Sequence, residues 1–96
     1  NSSIAYATTK SGLINFTKYL ASYWQGKNIR VNCLSPGGVG NENHTKEFLD
    51  NYHYRTMLKR MAKKDDLGSA VIYLVSDASE WVTGINLMVD GGWTAW

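Results

Sequence analysis

Apolar residues recur at helical spacing along the first quarter of the chain. The pattern predicts a helix that is capped by Ser2 or Ser3, runs to about Trp24 and is ended by Gly26. Its apolar stripe is wide, which indicates burial against more than one neighbour. The residues of this stripe are Leu13, Ile14, Phe16, Leu20, Ala21, Tyr23 and Trp24.

Two shorter apolar runs, over residues 29–35 and 85–89, are typical of β-strands. The first run contains Ile, Val, Cys and Leu, which fits a strand in a sheet that is buried on both faces. Pro36 stops this run, and the glycines at 37, 38 and 40 predict a flexible loop after it. An Asp-Gly-Gly turn closes the second run at residues 90–92.

Two helices are predicted between the strands. A polar stretch with scattered aromatics favours a short helix over about 43–57. A basic connector follows, which either binds phosphate or is simply solvated; its charged residues are Lys59, Arg60, Lys63 and Lys64. Asp65 then caps an amphipathic helix, whose apolar positions are Leu67, Ala70, Val71, Leu74 and Val75.

Only two strands are predicted, and they are separated by some 50 residues that are largely helical. Such a long connection implies parallel strands. A two-stranded parallel sheet has two unpaired edges and few buried hydrogen bonds between its strands. The pattern therefore calls for more strands than the chain supplies. The sequence is therefore interpreted as the last third of a doubly wound α/β fold.

Composition narrows the class of protein. The 96 residues suggest one domain at most, and an apolar fraction of 44% excludes a disordered chain. The formal charge of +2 is too small to predict a nucleic-acid or membrane partner. A single cysteine, Cys33, predicts a reduced, buried thiol in a cytoplasmic protein. No signal peptide or membrane span is visible, and the absence of an initiator methionine predicts that the chain begins inside a longer protein.

Tyr6 and Lys10 are candidates for acid–base chemistry because residues four apart share a helical face. A nearby ammonium favours the phenolate and lowers the tyrosine pKa from its reference value of about 10. The pair then suits proton transfer near neutral pH. The spacing alone is weak evidence, since the same helix holds a second copy in Tyr23 and Lys27.

Residues 6–21 resemble the active-site helix of the short-chain dehydrogenase/reductase family. Residues 29–37 are similar to the strand and Pro-Gly turn that follow in that family, and residues 82–84 and 89–92 to its last strand and its ending. The blocks come in the family's order and together span almost the whole chain. The resemblance implies an α/β fold, with residues 1–96 forming the carboxyl-terminal portion of one NAD(P)-binding Rossmann domain.

The same resemblance implies roles for individual residues. Tyr6 would give or take the proton, and Lys10 would lower the pKa of Tyr6 and bind the nicotinamide ribose. Pro36, Gly37 and Val39 would lie beside the nicotinamide of NAD or NADP. Asn41 stands where the family often has threonine or serine, and still suits hydrogen bonding to the cofactor.

The loop from Gly38 corresponds to the region that covers the substrate in this family. Gly38, Asn43 and His44 are its substrate-contacting candidates, and a solvated, mobile loop is the alternative. His44 and Glu47 are too few ligands to predict a metal site. Trp93 and Trp96 either pack in the core or meet a neighbouring subunit.

The implied activity is NAD(P)-dependent interconversion of a small-molecule alcohol and a carbonyl, on a sugar or nucleotide sugar of bacterial surface-sugar or flagellin-glycan pathways. A 3-oxoacyl-carrier-protein reductase is one alternative. The other is a catalytically incompetent fragment that self-associates, since the family forms dimers and tetramers. No glycine-rich phosphate loop or family serine occurs in these residues, so we expect the isolated chain neither to bind NADH tightly nor to turn over.

Overall fold

The computed structural model describes residues 4–38, 40 and 45–95, except for the side chains of Tyr6, Tyr52 and Ala95. The chain divides into two compact units: one comprises residues up to 34 together with 74–87, and the other comprises residues 35–73 and those from 88 onward. The helices are α1 (Ile4–Tyr23), α2 (Lys46–Arg55) and α3 (Lys64–Val75), with short 3₁₀ turns at Asp77–Ser79 and Trp93–Ala95. The strands are β1 (Cys33–Pro36) and β2 (Asn86–Val89).

The two strands pair in one sheet. The Cys33 N–H donates to the Ile85 carbonyl at 2.9 Å, and the Gly37 N–H donates to the Val89 carbonyl at 2.8 Å. Both partners advance by four residues in the same direction, so the strands are parallel, as predicted. Proline has no N–H, but position 36 lies between residues whose N–H groups donate to β2, so no hydrogen bond of the ladder is lost. This explains why β1 includes Pro36 rather than stopping before it.

The first strand is shorter than predicted, because residues 29–32 lie outside it. Side chains supplement the backbone pairing there. The Gly84 N–H donates to the Val31 carbonyl at 2.7 Å, while the Val31 N–H donates to the Thr83 hydroxyl and the Asn32 amide oxygen accepts from the Ile85 N–H. The Asn32 amide nitrogen also donates to the Val82 carbonyl. The prediction of burial on both faces is only partly met, since Cys33 and Ser35 are buried while Pro36 is exposed. Cys33 is a free, buried thiol, as expected.

Helix α1 confirms the predicted element but not the predicted burial. Leu13 and Phe16 are 55% and 54% exposed. The less exposed positions lie along a line through Lys10, Ile14, Thr17, Leu20, Ala21 and Trp24, and four of them belong to the predicted stripe. Thr17 is the buried member of that line, and its hydroxyl donates to the Leu13 carbonyl at 2.9 Å. Among the described residues, therefore, the wide apolar stripe is partly buried along this line and exposed elsewhere.

In the first unit, Arg30 binds several backbone carbonyls. Sequence reasoning placed this residue in a strand and gave it no role. Its guanidinium donates to the carbonyls of Leu74, Ser76, Ser79 and Val82 and to the Ser79 hydroxyl, at 2.8–3.3 Å. Carbonyls at the end of a helix lack intrahelical donors, and a cation there also meets the negative end of the helix dipole. Arg30 thus fixes the chain that leaves α3.

In the second unit, α2 lies within the predicted range of 43–57 and is capped by Thr45, whose hydroxyl accepts from the Phe48 N–H. Helix α3 begins at Lys64, one residue before the predicted cap at Asp65. The capping side chain is Asp66, which accepts from the Lys63 N–H at 2.7 Å. No residue of α3 is buried, and Val75 is 76% exposed, so its apolar stripe is only partly covered. None of the described helices is long and apolar enough to cross a membrane.

The chain after β2 closes on itself around Asp90. The Asp90 carboxylate accepts from the Thr94 hydroxyl, the Thr94 N–H and the Gly92 N–H, and these hydrogen bonds hold its pKa below the usual value. Gly92 has a φ of 91°, and a β-carbon there would lie 2.6 Å from the Met57 β-carbon, so only glycine fits. Trp93 is half-buried with the Arg55 guanidinium 5.8 Å from its ring, while Trp96 lies outside the described residues.

Candidate functional site

Positions 6 and 10 both lie within α1, an unbroken helix, so they share one face. Lys10 is half-buried on this helix. The side chain of Tyr6 lies outside the described part of the structure. The helix therefore supplies the backbone arrangement that a tyrosine–lysine pair requires.

The second pair is placed differently. Tyr23 is the last residue of α1, and Lys27 lies in the turn beyond it. Gly26, with a φ of 75°, carries the chain out of the helical direction between them. The Tyr23 ring instead packs against its aromatic neighbours, 6.1 Å from Tyr19 and 5.7 Å from Trp24 between centroids. Tyr23 and Lys27 thus do not share a helical face.

The predicted cofactor turn leaves the carboxyl end of β1. Its Gly37 N–H is engaged by the Val89 carbonyl. Beyond it, the Gly38 carbonyl accepts from the Ala62 N–H at 2.9 Å, and the Gly40 N–H donates to the Ala62 carbonyl at 3.0 Å. These bonds attach both ends of the Gly38–Gly40 segment to Ala62. The other loop candidates, Val39, Asn41, Asn43 and His44, lie outside the described residues.

A cavity of about 170 Å³ lies in the second unit beside this turn. Much of its wall is backbone, because three of its lining residues are glycines. It is lined by Gly37, Gly38, Leu58, Arg60, Ala62, Asp66, Val89, Asp90 and Gly91. The cavity therefore opens next to the carboxyl ends of both strands, which is where parallel α/β sheets bind ligands.

An ion pair borders the same cavity. The Arg60 guanidinium contacts both carboxylate oxygens of Asp66, at 2.7 and 3.3 Å. The Arg60 hydrogen bond, followed by that from the Lys63 N–H, lowers the pKa of Asp66 to about 2. Sequence reasoning missed this pair, because it treated Arg60 as part of a basic connector that is solvated or binds phosphate, and Asp65 as the cap. An acidic residue at the third helical position was the signal that could have found it.

Comparison with known proteins identifies the family. A family model described as enoyl-(acyl carrier protein) reductase matches residues 1–94. The structure is similar to a short-chain dehydrogenase from Leptospira borgpetersenii with bound NAD⁺, with a TM-score of 0.90 and 52% sequence identity. The match covers 98% of this chain and 37% of that one.

Two curated relatives indicate the range of the family. Galactitol 2-dehydrogenase (L-tagatose-forming) of Cereibacter sphaeroides is 34% identical over 96% of this chain and 38% of its own length. The 3-oxoacyl-[acyl-carrier-protein] reductase of Chlamydia trachomatis is 38% identical over 91% of this chain and 36% of its own length. The chain thus spans little more than a third of the relatives it matches. Neither name supports the expected link to bacterial surface sugars. On the match over residues 1–94 and these identities, the chain belongs to the short-chain dehydrogenase/reductase family.

Proposed function

We propose that this chain is the carboxyl-terminal portion of an NAD(P)-dependent oxidoreductase that interconverts an alcohol and a carbonyl by hydride transfer. The observation that carries the proposal is the unbroken helix that puts positions 6 and 10 on one face. The second tyrosine–lysine pair lacks this arrangement, since Lys27 lies beyond the helix. Family membership supports the same reaction class.

The residues present fit a nicotinamide cofactor. Gly37 and Gly38 leave a side-chain-free approach to the cavity at the carboxyl end of the sheet. The Gly37 N–H is already used in the ladder, so the carboxamide contact falls to backbone groups further along, at Val39. By the family resemblance, Lys10 would bind the ribose and Asn41 would hydrogen-bond the cofactor. When bound, the cofactor gives or accepts the hydride.

In the proposed reaction, residues of this chain carry out the proton transfer. In the reducing direction, the Tyr6 hydroxyl gives its proton to the substrate oxygen as the neighbouring carbon receives hydride, and oxidation runs in reverse. Lys10 favours the phenolate and so brings the pKa of Tyr6 towards neutral pH. Gly38, Asn43 and His44 contact the substrate from the covering loop. The glycine-rich phosphate loop and the serine of the family would come from a preceding segment of the complete protein.

The exposed apolar face of α1 supports a homo-oligomer, a dimer or tetramer, in the complete protein. Phe16, Tyr19 and Tyr23 stack in succession along this face, and all three are more than half exposed. Apolar surface of this kind is costly in water, so a second copy covering it is favoured.

For the substrate we favour a polyhydroxylated alcohol or sugar, because galactitol 2-dehydrogenase is among the relatives. The alternative is a 3-oxoacyl thioester, which the carrier-protein reductase favours. Initial rates of the complete protein decide between them: galactitol and a nucleotide sugar with NAD⁺ or NADP⁺, against acetoacetyl thioester with NADH or NADPH. We expect turnover with the polyol or sugar. Turnover of the thioester alone would establish the alternative, and no nicotinamide-linked turnover of any alcohol or carbonyl would overturn the proposed function.

A further inference from the structure

We propose that the Arg60–Asp66 ion pair is a positioning device for the Gly38–Gly40 segment, and that through this segment it sets the affinity for the nicotinamide end of the cofactor. The inference rests on the proposed function, because the segment faces nicotinamide only if the chain serves such an enzyme. Both residues line the cavity beside the segment, and the role proposed for them is to position the segment rather than to contact the cofactor. Both act through the backbone at Ala62.

The first step is the attachment of the segment to Ala62. The Ala62 N–H donates to the Gly38 carbonyl, and the Ala62 carbonyl accepts from the Gly40 N–H. One residue thus holds both ends of the segment. A displacement of the Ala62 backbone must move the segment or break one of these two hydrogen bonds.

The second step is the fixing of Ala62. Arg60 contacts Asp66 through both terminal nitrogens, and it also donates to the Met61 carbonyl at 3.0 Å. Asp66 accepts from the Lys63 N–H as well. The pair therefore bonds to the backbone on each side of Ala62, at Met61 and at Lys63. Breaking the pair removes the contact that links these two flanking hydrogen bonds to each other.

Side chains of the segment itself could also hold it in place. Gly38 and Gly40 have no side chains to wedge into the core, and the cavity of about 170 Å³ lies against Gly38 and Ala62. The backbone bonds to Ala62 thus contribute to positioning the segment. The pair itself is partly exposed, with 45% of the Arg60 and 33% of the Asp66 side chain accessible. Exposed pairs add little to global stability, so the effect should appear in local geometry instead.

The test compares Asp66→Asn with Asp65→Asn in the complete protein. The control removes the same charge one residue away, from an exposed side chain that forms no ion pair among the described residues. Binding of NADH and of ADP-ribose, which lacks the nicotinamide, is measured by calorimetry well below the unfolding temperature. Amide hydrogen exchange at Gly40 and Ala62 is followed without ligand.

We expect Asp66→Asn to weaken NADH binding about three- to tenfold, to leave ADP-ribose binding unchanged, and to speed exchange at Gly40 and Ala62. Arg60→Lys keeps the charge without the two-pronged contact and should fall between the wild type and Asp66→Asn. Equal losses for both ligands would reduce the pair to a structural role and overturn the proposal, as would unchanged exchange. A wild-type protein that binds neither ligand would instead overturn the proposed function itself.

Discussion

The two ends of α1 carry the same sequence spacing and different structures. At the amino-terminal end, positions 6 and 10 lie on a continuous helix, and Lys10 is half-buried. At the carboxyl-terminal end the helix stops at Tyr23, and Lys27 lies in an exposed turn. Four residues of separation therefore place two side chains on one face only where the helix continues between them.

A tyrosine and a lysine four residues apart therefore no longer share a face when the helix ends between them. Gly26 adopts a left-handed conformation between Tyr23 and Lys27, which directs the chain away from the helical path. The carboxyl-terminal end of α1 then serves packing, through stacked aromatic rings, and leads to the Arg30 network. We expect changes at the amino-terminal end to affect catalysis and changes near the other end to affect stability.

The largest expected effect is on catalysis. Tyr6→Phe should lower kcat of the complete protein roughly 10²- to 10⁴-fold, because it removes the proton donor. Tyr23→Phe deletes the same hydroxyl from the same helix and should leave kcat within about twofold, as expected for a group outside the reaction. Steady-state kinetics checks both variants. A comparable loss in Tyr23→Phe, or none in Tyr6→Phe, would remove the distinction between the two ends.

The next largest effect is on folding. Arg30→Met should lower the free energy of unfolding by about 2–4 kcal/mol, since it deprives several carbonyls of a charged donor. Lys27→Met removes the same charge three residues earlier, from an exposed turn, and should change stability by less than about 0.5 kcal/mol. Urea unfolding measures both. Equal stability of the two variants would mean that the Arg30 contacts contribute little.

Smaller changes in stability, opposite in sign to each other, should follow from replacing two glycines of this region with alanine. Gly26→Ala should destabilise by about 1 kcal/mol, because alanine is strained at a φ of 75°. Gly12→Ala lies inside α1 and should stabilise by up to about 1 kcal/mol. A β-carbon meets nothing within 4 Å at either site, so backbone preference alone sets the signs. Thermal unfolding checks them, and a stabilising Gly26→Ala would show that the helix end is not fixed there.

The smallest effect is a pH dependence in the second unit. Arg60 and the Lys63 N–H lower the pKa of Asp66 to about 2, below the reference value of about 3.9. A carboxyl with a depressed pKa contributes stability that is present above the unfolded pKa and is lost as pH falls through the folded one. The stability difference between wild type and Asp66→Asn should therefore shrink from about pH 4 to about pH 2. Denaturant titrations across this window test it, and a constant difference would contradict it.

Much of the fold was predictable because it follows from local patterns. The 3.6-residue periodicity located α1 and α3, and two apolar runs located parallel strands. The errors arose where side chains took over backbone roles. Asn32 and Thr83 end the ladder that residues 29–32 were expected to extend, and Asp66 caps α3 in place of Asp65.

Motif resemblance named candidate residues for the site but not the contacts that surround them. Motif resemblance pointed to Tyr6, Lys10 and the Pro36–Gly37 turn, and these remain predictions for catalysis and cofactor binding. Arg60 and Ala62 could not be found in this way. The connection of Ala62 to Gly38 and Gly40 spans more than 20 residues of chain and depends on backbone atoms, which carry no sequence signal.

The sequence by itself determined the family, the order of the elements and the tyrosine–lysine spacing, since these depend on residue identity and on short-range periodicity. The structure decided which of the two pairs shares a helical face, because it fixed the last helical residue of α1 at Tyr23. It also decided that Arg30 binds carbonyls at the end of α3 and after it, and that Arg60 pairs with Asp66. Long-range hydrogen bonds to backbone atoms are satisfied in three dimensions, and any residue type can supply the carbonyl.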